Sequence, residues 1–192
     1  MTRALFIVDV QNDFTEEGAL GVDGGDEVAA RINRFVEAHA EDYEIVVASR
    51  DWHDADNDNG GHFSDEPDFI DTWPPHCVAG TFGAEYEEVF DTSVVTHHLK
   101  KGQGKPAYSL FEGVADDGTT AAQLLELHGI LDIDVVGLAT DYCVRASALD
   151  AIAIGRHVRI FTDLVAGVHP VSSEKALAEI AHAGAEIVES GA

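Results

Sequence analysis

Residues 133 to 152 hold the feature that most limits the folds open to this chain. Ile133, Val135, Val136 and Leu138 form an apolar run that ends in Ala139-Thr140-Asp141. Then come Cys143 and apolar or small residues at helical spacing: Val144, Ala148, Ala151 and Ile152. A short run apolar on both faces is the pattern of a buried parallel strand, and a 3.6-residue period after a turn is that of a helix. The reading is a strand, a tight turn and a helix starting near Asp141, with Cys143 in the first helical turn. Free N–H groups and the positive end of the helix dipole at such a place lower a thiol pKa and suit an oxyanion. A cysteine that packs as a small hydrophobe fits the same residues, so a role for Cys143 depends on partners elsewhere in the chain.

The pattern repeats along the sequence. Ala4 to Val10 is a near-continuous apolar run and reads as a central strand that ends at Asp9. Gly18 to Gly25 is a glycine-rich loop, and Asp26 to Ala40 carries apolar residues at helical spacing. Further strands are predicted at 44–50, 93–99, 157–162 and 185–189, and helices at 119–128 and 172–183. Residues 54 to 91 lack periodicity, but their aromatics and histidines predict an ordered site there. Strands alternating with helices predict one α/β domain over residues 1–192. Its sheet is doubly wound, six-stranded and mainly parallel, with helices on both faces.

Composition excludes some partners. Asp and Glu number 36 against 11 Lys and Arg, a formal net charge of −25. Such a surface repels nucleic acid. No stretch approaches the roughly 18 apolar residues of a membrane span, and the first residues do not read as a signal peptide. The expectation is a cytoplasmic protein, with homo-oligomerisation left open. Two cysteines, Cys77 and Cys143, make no disulfide framework.

Two constellations carry chemistry. Asp9, Lys101 and Cys143 all follow strands, and in open α/β sheets ligands bind beyond the carboxyl ends of strands. A carboxylate there can take the thiol proton while an ammonium holds the carboxylate. A loop-capping Asp9 and a solvated Lys101 are the plain alternatives. The second constellation is Asp51-x-His53, His62 and His76. Imidazole with carboxylate suits Zn, Fe or Mn better than Ca or Mg. His62, after the flexible stretch 57–61, is the weakest candidate, whereas Pro74 and Pro75 hold His76 rigidly. Gly102-Gln103-Gly104-Lys105 resembles part of a phosphate loop but lacks its spacing.

These pieces together resemble the nicotinamidase/pyrazinamidase branch of the isochorismatase-like cysteine hydrolases. The motifs are ALFIVDVQNDF (4–14), SRDWH (49–53), WPPHCVAG (73–80), Lys101 with AYSLFEG (107–113), and VVGLATDYCVR (135–145). They span nearly the whole chain in the family's order. The resemblance implies a triad of Asp9, Lys101 and Cys143. It implies one divalent transition metal, zinc before iron or manganese, on Asp51, His53 and His76 with His62 as a fourth ligand. A non-proline cis peptide at Ala139–Thr140 would aim the N–H groups of Ala139 and Cys143 at an oxyanion. Phe14, Trp73, Tyr108 and Tyr142 would surround a pyridine ring. The implied reaction is hydrolysis of nicotinamide to nicotinate and ammonia through a thioester, in NAD salvage, with no redox or nucleotide cofactor. Two departures are the wide His53–His62 spacing and Tyr142, where some relatives carry His. An N-carbamoyl or ureido-acid amidohydrolase and a non-catalytic binding module are the competing readings. The retained Asp9, Lys101 and Cys143 speak against the module.

The charge itself points to a halophilic habitat and to a first test. In about 0.01 M salt the Debye length is near 30 Å, so the surface carboxylates repel across the whole molecule; in about 1 M it is near 3 Å. The compact state concentrates that repulsion. From dilute buffer to molar KCl the melting temperature is expected to rise by at least about 5 °C, the shift that roughly 2 kcal/mol gives a domain of this size. Turnover should rise in parallel. A melting temperature flat or falling across the salt series removes the halophile reading.

Overall fold

The apolar runs assemble into one sheet. The computed structural model describes residues 2–191. Among these, the strands are β1 (Arg3–Val8), β2 (Ile45–Asp51), β3 (His97–Lys101), β4 (Asp132–Leu138), β5 (His157–Ala166) and β6 (Glu186–Val188). Their order is β3-β2-β1-β4-β5-β6, and every neighbouring pair is parallel. The α-helices are α1 (Gly25–His39), α2 (Ala121–Leu127), α3 (Arg145–Ala153) and α4 (Pro170–Ala183). No helix among the described residues is long and apolar enough to cross a membrane.

Period-two alternation decides which helix each strand residue meets. Ala4, Phe6 and Val8 of β1 belong to the layer built with Leu124, Ala148 and Ile180 from α2, α3 and α4. Leu5 and Ile7 belong to the opposite layer, with Val28, Ile32 and Phe35 of α1. All five β1 side chains are fully buried, which is why the strand reads as a continuous apolar run. Burying each large one stabilises the fold by about 1.5–3 kcal/mol.

Two element starts differ from expectation, each for a local polar reason. The third strand begins at His97 rather than at residue 93. The Asp91 carboxylate accepts the Ser93 N–H at 2.8 Å and winds Thr92–Val94 into a 3₁₀ turn. The helix expected from near Asp141 begins at Arg145. Thr140–Val144 is a π-type turn in which the Ala139 carbonyl accepts the N–H of Tyr142 at 3.1 Å and of Val144 at 3.2 Å. Asp141 is turned away to the loop before α4, where it accepts the Val168 N–H at 3.0 Å and the Ser172 hydroxyl at 2.5 Å.

The sheet reverses its winding between β1 and β4, and a crevice opens beyond their carboxyl ends. Asp9 follows β1, and Cys143 follows β4. Asp51 and Lys101 end β2 and β3 as paired neighbours. At the other end of the sheet Asp134 is a buried carboxylate of a different kind. It accepts from Arg3, Arg159 and Tyr43, and so is fully neutralised where it stands.

Gly137 lets β4 close on β1 just before the crevice. Its φ is +116°, and a Cβ there would lie 2.1 Å from the Val8 carbonyl oxygen. The pairing of β4 with β5 shifts register at the same point. Gly137→Ala is therefore expected to cost about 3 kcal/mol or more, from positive-φ strain and overpacking together. Urea unfolding in molar salt measures this. A loss under about 1 kcal/mol would show that the strands can part there without harm.

Candidate active site

Each group in the crevice is delivered by the end of a strand. Asp9 leaves β1 with φ +49° and is fully buried. Its Oδ1 accepts the Ser49 hydroxyl at 2.7 Å, and its Oδ2 is 2.9 Å from Lys101 Nζ. Lys101 is also fully buried; it donates to Asp51 Oδ1 in a short contact and lies 3.7 Å from Cys143 Sγ. Oxygens of Asp9 and Asp51 and the Cys143 sulfur all fall within 4.8 Å of one another. The structure thus brings together Asp9, Lys101 and Cys143, which stand far apart in sequence.

Burial and pairing shift these groups in different directions. Burial works against the Lys101 ammonium, but Asp51 and Asp9 outweigh it and hold the charge well above its ordinary range. Burial would raise Asp51 too, yet the Lys101 ammonium outweighs it and holds that carboxyl below the usual range. For Asp9 burial wins over Lys101, and the carboxyl is pushed up. Burial also pushes the Cys143 thiol up, against the pull of Lys101. This corrects the expectation of a lowered thiol pKa. The turn carrying Cys143 is buried, and desolvation of the thiolate exceeds what the cation returns. Cys77 is likewise pushed up by burial, but it is fully enclosed and lines no part of the crevice.

The irregular segment after β2 folds back to place three imidazoles beside Asp51. One ring nitrogen from each of His53, His62 and His76 lies within 4.8 Å of the others. His53 Nε2 and His76 Nε2 are 3.6 and 3.9 Å from Asp51 Oδ2. The far nitrogens fix the tautomers. His53 Nδ1 donates to the Gly102 carbonyl at 2.9 Å, and His76 Nδ1 donates to the Pro74 carbonyl at 2.8 Å. Both Nε2 lone pairs then face Asp51. Gly102 must be glycine, since a Cβ would stand 2.5 Å from the His53 ring. Burial pushes His62 down to about 4, so it is neutral at pH 7. His53 Nε2 and His62 Nδ1 are buried with no hydrogen-bond partner among the described residues, which fits a role as cation ligands. Three imidazoles and a carboxylate fit a transition metal.

A cavity of about 300 Å³ opens beside both clusters. Phe14, Trp73, Tyr108 and Tyr142 all line it, together with Cys143 and His76. The Trp73 indole N–H donates to the Tyr108 hydroxyl at 3.2 Å, and Tyr142 stands edge-on to Trp73 at 5.1 Å. Ala139 also lines the cavity. The non-proline cis peptide is at Leu138–Ala139, not at Ala139–Thr140 as expected. Ala139 already belongs to the turn, because its carbonyl is the turn's first acceptor.

Sequence reasoning missed the residues that steady these groups. Gln11 is fully buried and clamps Asp51 from both sides, donating to its carbonyl at 2.9 Å and accepting its N–H at 2.8 Å. Asp13 accepts the Cys77 N–H at 2.6 Å and so ties the Phe14 turn to the His76 segment. Phe69 and Val168 form an apolar rim. A polar side chain that binds backbone across the fold carries no periodic signal; only its place beside Asp9 hinted at Gln11.

The chain is 47% identical over 186 residues to the nicotinamidase/pyrazinamidase of Mycobacterium tuberculosis, covering 97% of this chain and 98% of the relative. Its fold matches the pyrazinamidase of Pyrococcus horikoshii in complex with zinc, at TM-score 0.82 and 35% identity over 98% of this chain and 99% of that one. It also matches PnC1 from L. infantum in complex with nicotinate, at TM-score 0.82 and 32% identity over 98% and 93%. Residues 3–192 match the isochorismatase domain. With that match over nearly its full length, the chain belongs to the isochorismatase family.

Proposed function

We propose that this chain is a nicotinamidase that hydrolyses nicotinamide to nicotinate and ammonia, acts on pyrazinamide as well, and serves NAD salvage in the cytoplasm. The observation that carries the reading is a cysteine, a high-pKa carboxyl and a buried lysine meeting beside a three-histidine cluster in one aromatic cavity. The 47% identity to a nicotinamidase/pyrazinamidase supports the substrate class.

The residues divide the work as follows. Phe14, Trp73, Tyr108 and Tyr142 hold the flat ring. Asp51, His53, His62 and His76 would hold one metal, zinc by analogy with the P. horikoshii neighbour. A metal held there would supply Lewis acidity toward the ring nitrogen of the substrate. Cys143 rests as a neutral thiol. Asp9 takes its proton as the sulfur attacks the carboxamide carbon. The backbone N–H groups of Ala139 and Cys143 receive the oxyanion. Asp9 then passes the proton to the departing amine, the C–N bond breaks, and ammonia leaves a nicotinoyl thioester. Water adds to the thioester with Asp9 as base, releasing nicotinate and restoring the thiol. Lys101 stays charged throughout and keeps Asp9 aimed at the sulfur. An N-carbamoyl or ureido-acid amide has no ring nitrogen for the histidine cluster, which disfavours that alternative.

Two tests follow. Cys143→Ala is expected to fold normally and lose at least about 10⁴-fold in ammonia release from nicotinamide, as removal of a nucleophile does. Cys77→Ser should keep most of the activity. A folded Cys143→Ala enzyme that still turns over would end the covalent scheme. Elemental analysis is expected to give about one metal per chain in the wild type and a sharp fall in His53→Ala and His76→Ala. Full occupancy in the variant lacking both histidines would refute the site.

A further inference from the structure

Residues 54 to 61 join His53 to His62, and their sequence is a poor support for a ligand. Asp54, Asp56 and Asp58 repel one another, and Gly60 and Gly61 loosen the chain. Holding a side chain still at the end of such a loop costs ordering entropy. Yet His62 is 1% exposed, with its ring centroid 4.8 Å from that of His53 and 5.3 Å from that of His76.

One residue of the loop is buried among exposed neighbours, and it is Asn59, at 0% exposure. Its φ is +49°, a left-handed conformation that asparagine adopts more readily than most residues. Its side chain uses its full hydrogen-bonding capacity. Oδ1 accepts the N–H of Asp54 at 2.8 Å and of Gly104 at 3.1 Å. Nδ2 donates to the carbonyls of Asp54 at 3.0 Å and Asn57 at 3.3 Å. The Asn59 carbonyl in turn faces the His62 N–H at 3.4 Å. Beyond His62 the chain is locked again, the Trp73 N–H donating to the His62 carbonyl at 2.9 Å. One amide thus joins the residue after His53, the loop whose Gly102 carbonyl orients His53, and the turn that delivers His62. The Gly102–Lys105 stretch, which failed as a phosphate loop, has its use here.

We propose that Asn59 is the positioning residue for His62: it closes the acidic loop on the 102–104 segment and so makes His62 a working ligand of the metal site. The inference rests on the metal reading above and deepens it. Without the amide, the loop keeps its charge and its glycines but loses the bonds that seat it, and His62 spends most of its time away from His53 and His76.

Zn²⁺ is the probe, titrated into full-length apo-protein in molar KCl against a chromophoric chelator. Asn59→Gly keeps the left-handed backbone while removing all four side-chain bonds, so the fold should survive; circular dichroism and thermal unfolding of the apo forms check this. Asn59→Gly is expected to weaken Zn²⁺ about 10- to 100-fold, the usual effect of removing a group that orients a ligand. In the His62→Ala background the same change should cost no more than about twofold, within the additivity expected when its partner is gone. Asn59→Asp, which keeps the accepted bonds and loses the donated ones, should fall between wild type and Asn59→Gly. With Co²⁺ as a second probe, the absorption bands of Asn59→Gly should move toward those of His62→Ala. Wild-type affinity in Asn59→Gly, or an equal loss with and without His62, overturns the proposal. A wild-type protein that takes up no Zn²⁺ overturns the metal reading itself and is distinguishable from either.

Discussion

The site depends on one buried ammonium. Lys101 has no exposed surface, and an isolated charge in that position would be untenable. Asp9 and Asp51 make it tenable, one from each of the next two strands inward. The same contact ties the carboxyl ends of β3, β2 and β1 into a single polar cluster. It also divides the work between the two carboxyl groups. Asp51 gives one oxygen to Lys101 and turns the other toward His53 and His76. Asp9, more strongly desolvated relative to its pairing, is the one pushed up toward exchange of a proton. A lysine that merely neutralised charge would leave both carboxyl groups alike; beside this one Asp9 is pushed up and Asp51 held down, with their oxygens within 4.8 Å of one another.

The fold makes that cluster possible through topology more than through any one contact. Because β1 has β2 on one side and β4 on the other, Asp9 and Cys143 emerge next to each other at the reversal of the sheet. The approach is close enough that Gly137 has no room for a Cβ against Val8. The π-type turn then sets Cys143 toward the cavity instead of along the axis of α3, and Asp141 pins the turn to the loop before α4. The far end of the sheet does the reverse. Asp134 is paired with two guanidinium groups and also accepts a hydrogen bond from the Tyr43 phenol.

The sequence was legible where a periodic demand repeats over several residues. Strand β1 shows itself because each of its side chains from Ala4 to Val8 is buried on one face or the other. It was also legible where a residue type is costly to bury, as with Asp9 and Lys101. It was not legible where a single polar contact decides. Asp91 moved the start of β3, and the Ala139 carbonyl moved the start of α3. The thiol of Cys143 was expected to be acidic from helix-end reasoning, but the depth of its burial is a tertiary fact that no local pattern encodes. His62 looked weak because its loop reads as flexible; one of the bonds that hold Asn59 in that loop comes from Gly104, far along the chain. Gln11 and Asn59 escaped notice for the same reason.

The charge of the chain gives the histidine cluster a further meaning. The chain carries 36 acidic residues, and carboxylate oxygens on their own discriminate poorly between divalent cations. Selectivity must then come from the inner ligands. Three imidazoles with a single carboxylate are a soft, nitrogen-rich set on an oxygen-rich molecule, and they favour a transition metal over calcium or magnesium. The field of the acidic surface would tend to protonate imidazoles and spoil them as donors. Burial opposes this directly, holding His62 and His76 on the neutral side of their ordinary range. At His53 and His76, donation from Nδ1 to a backbone carbonyl keeps Nε2 as the free donor. A nitrogen site open to the surface would be exposed to that field; His53, His62 and His76 are instead buried, at 0%, 1% and 3% exposure.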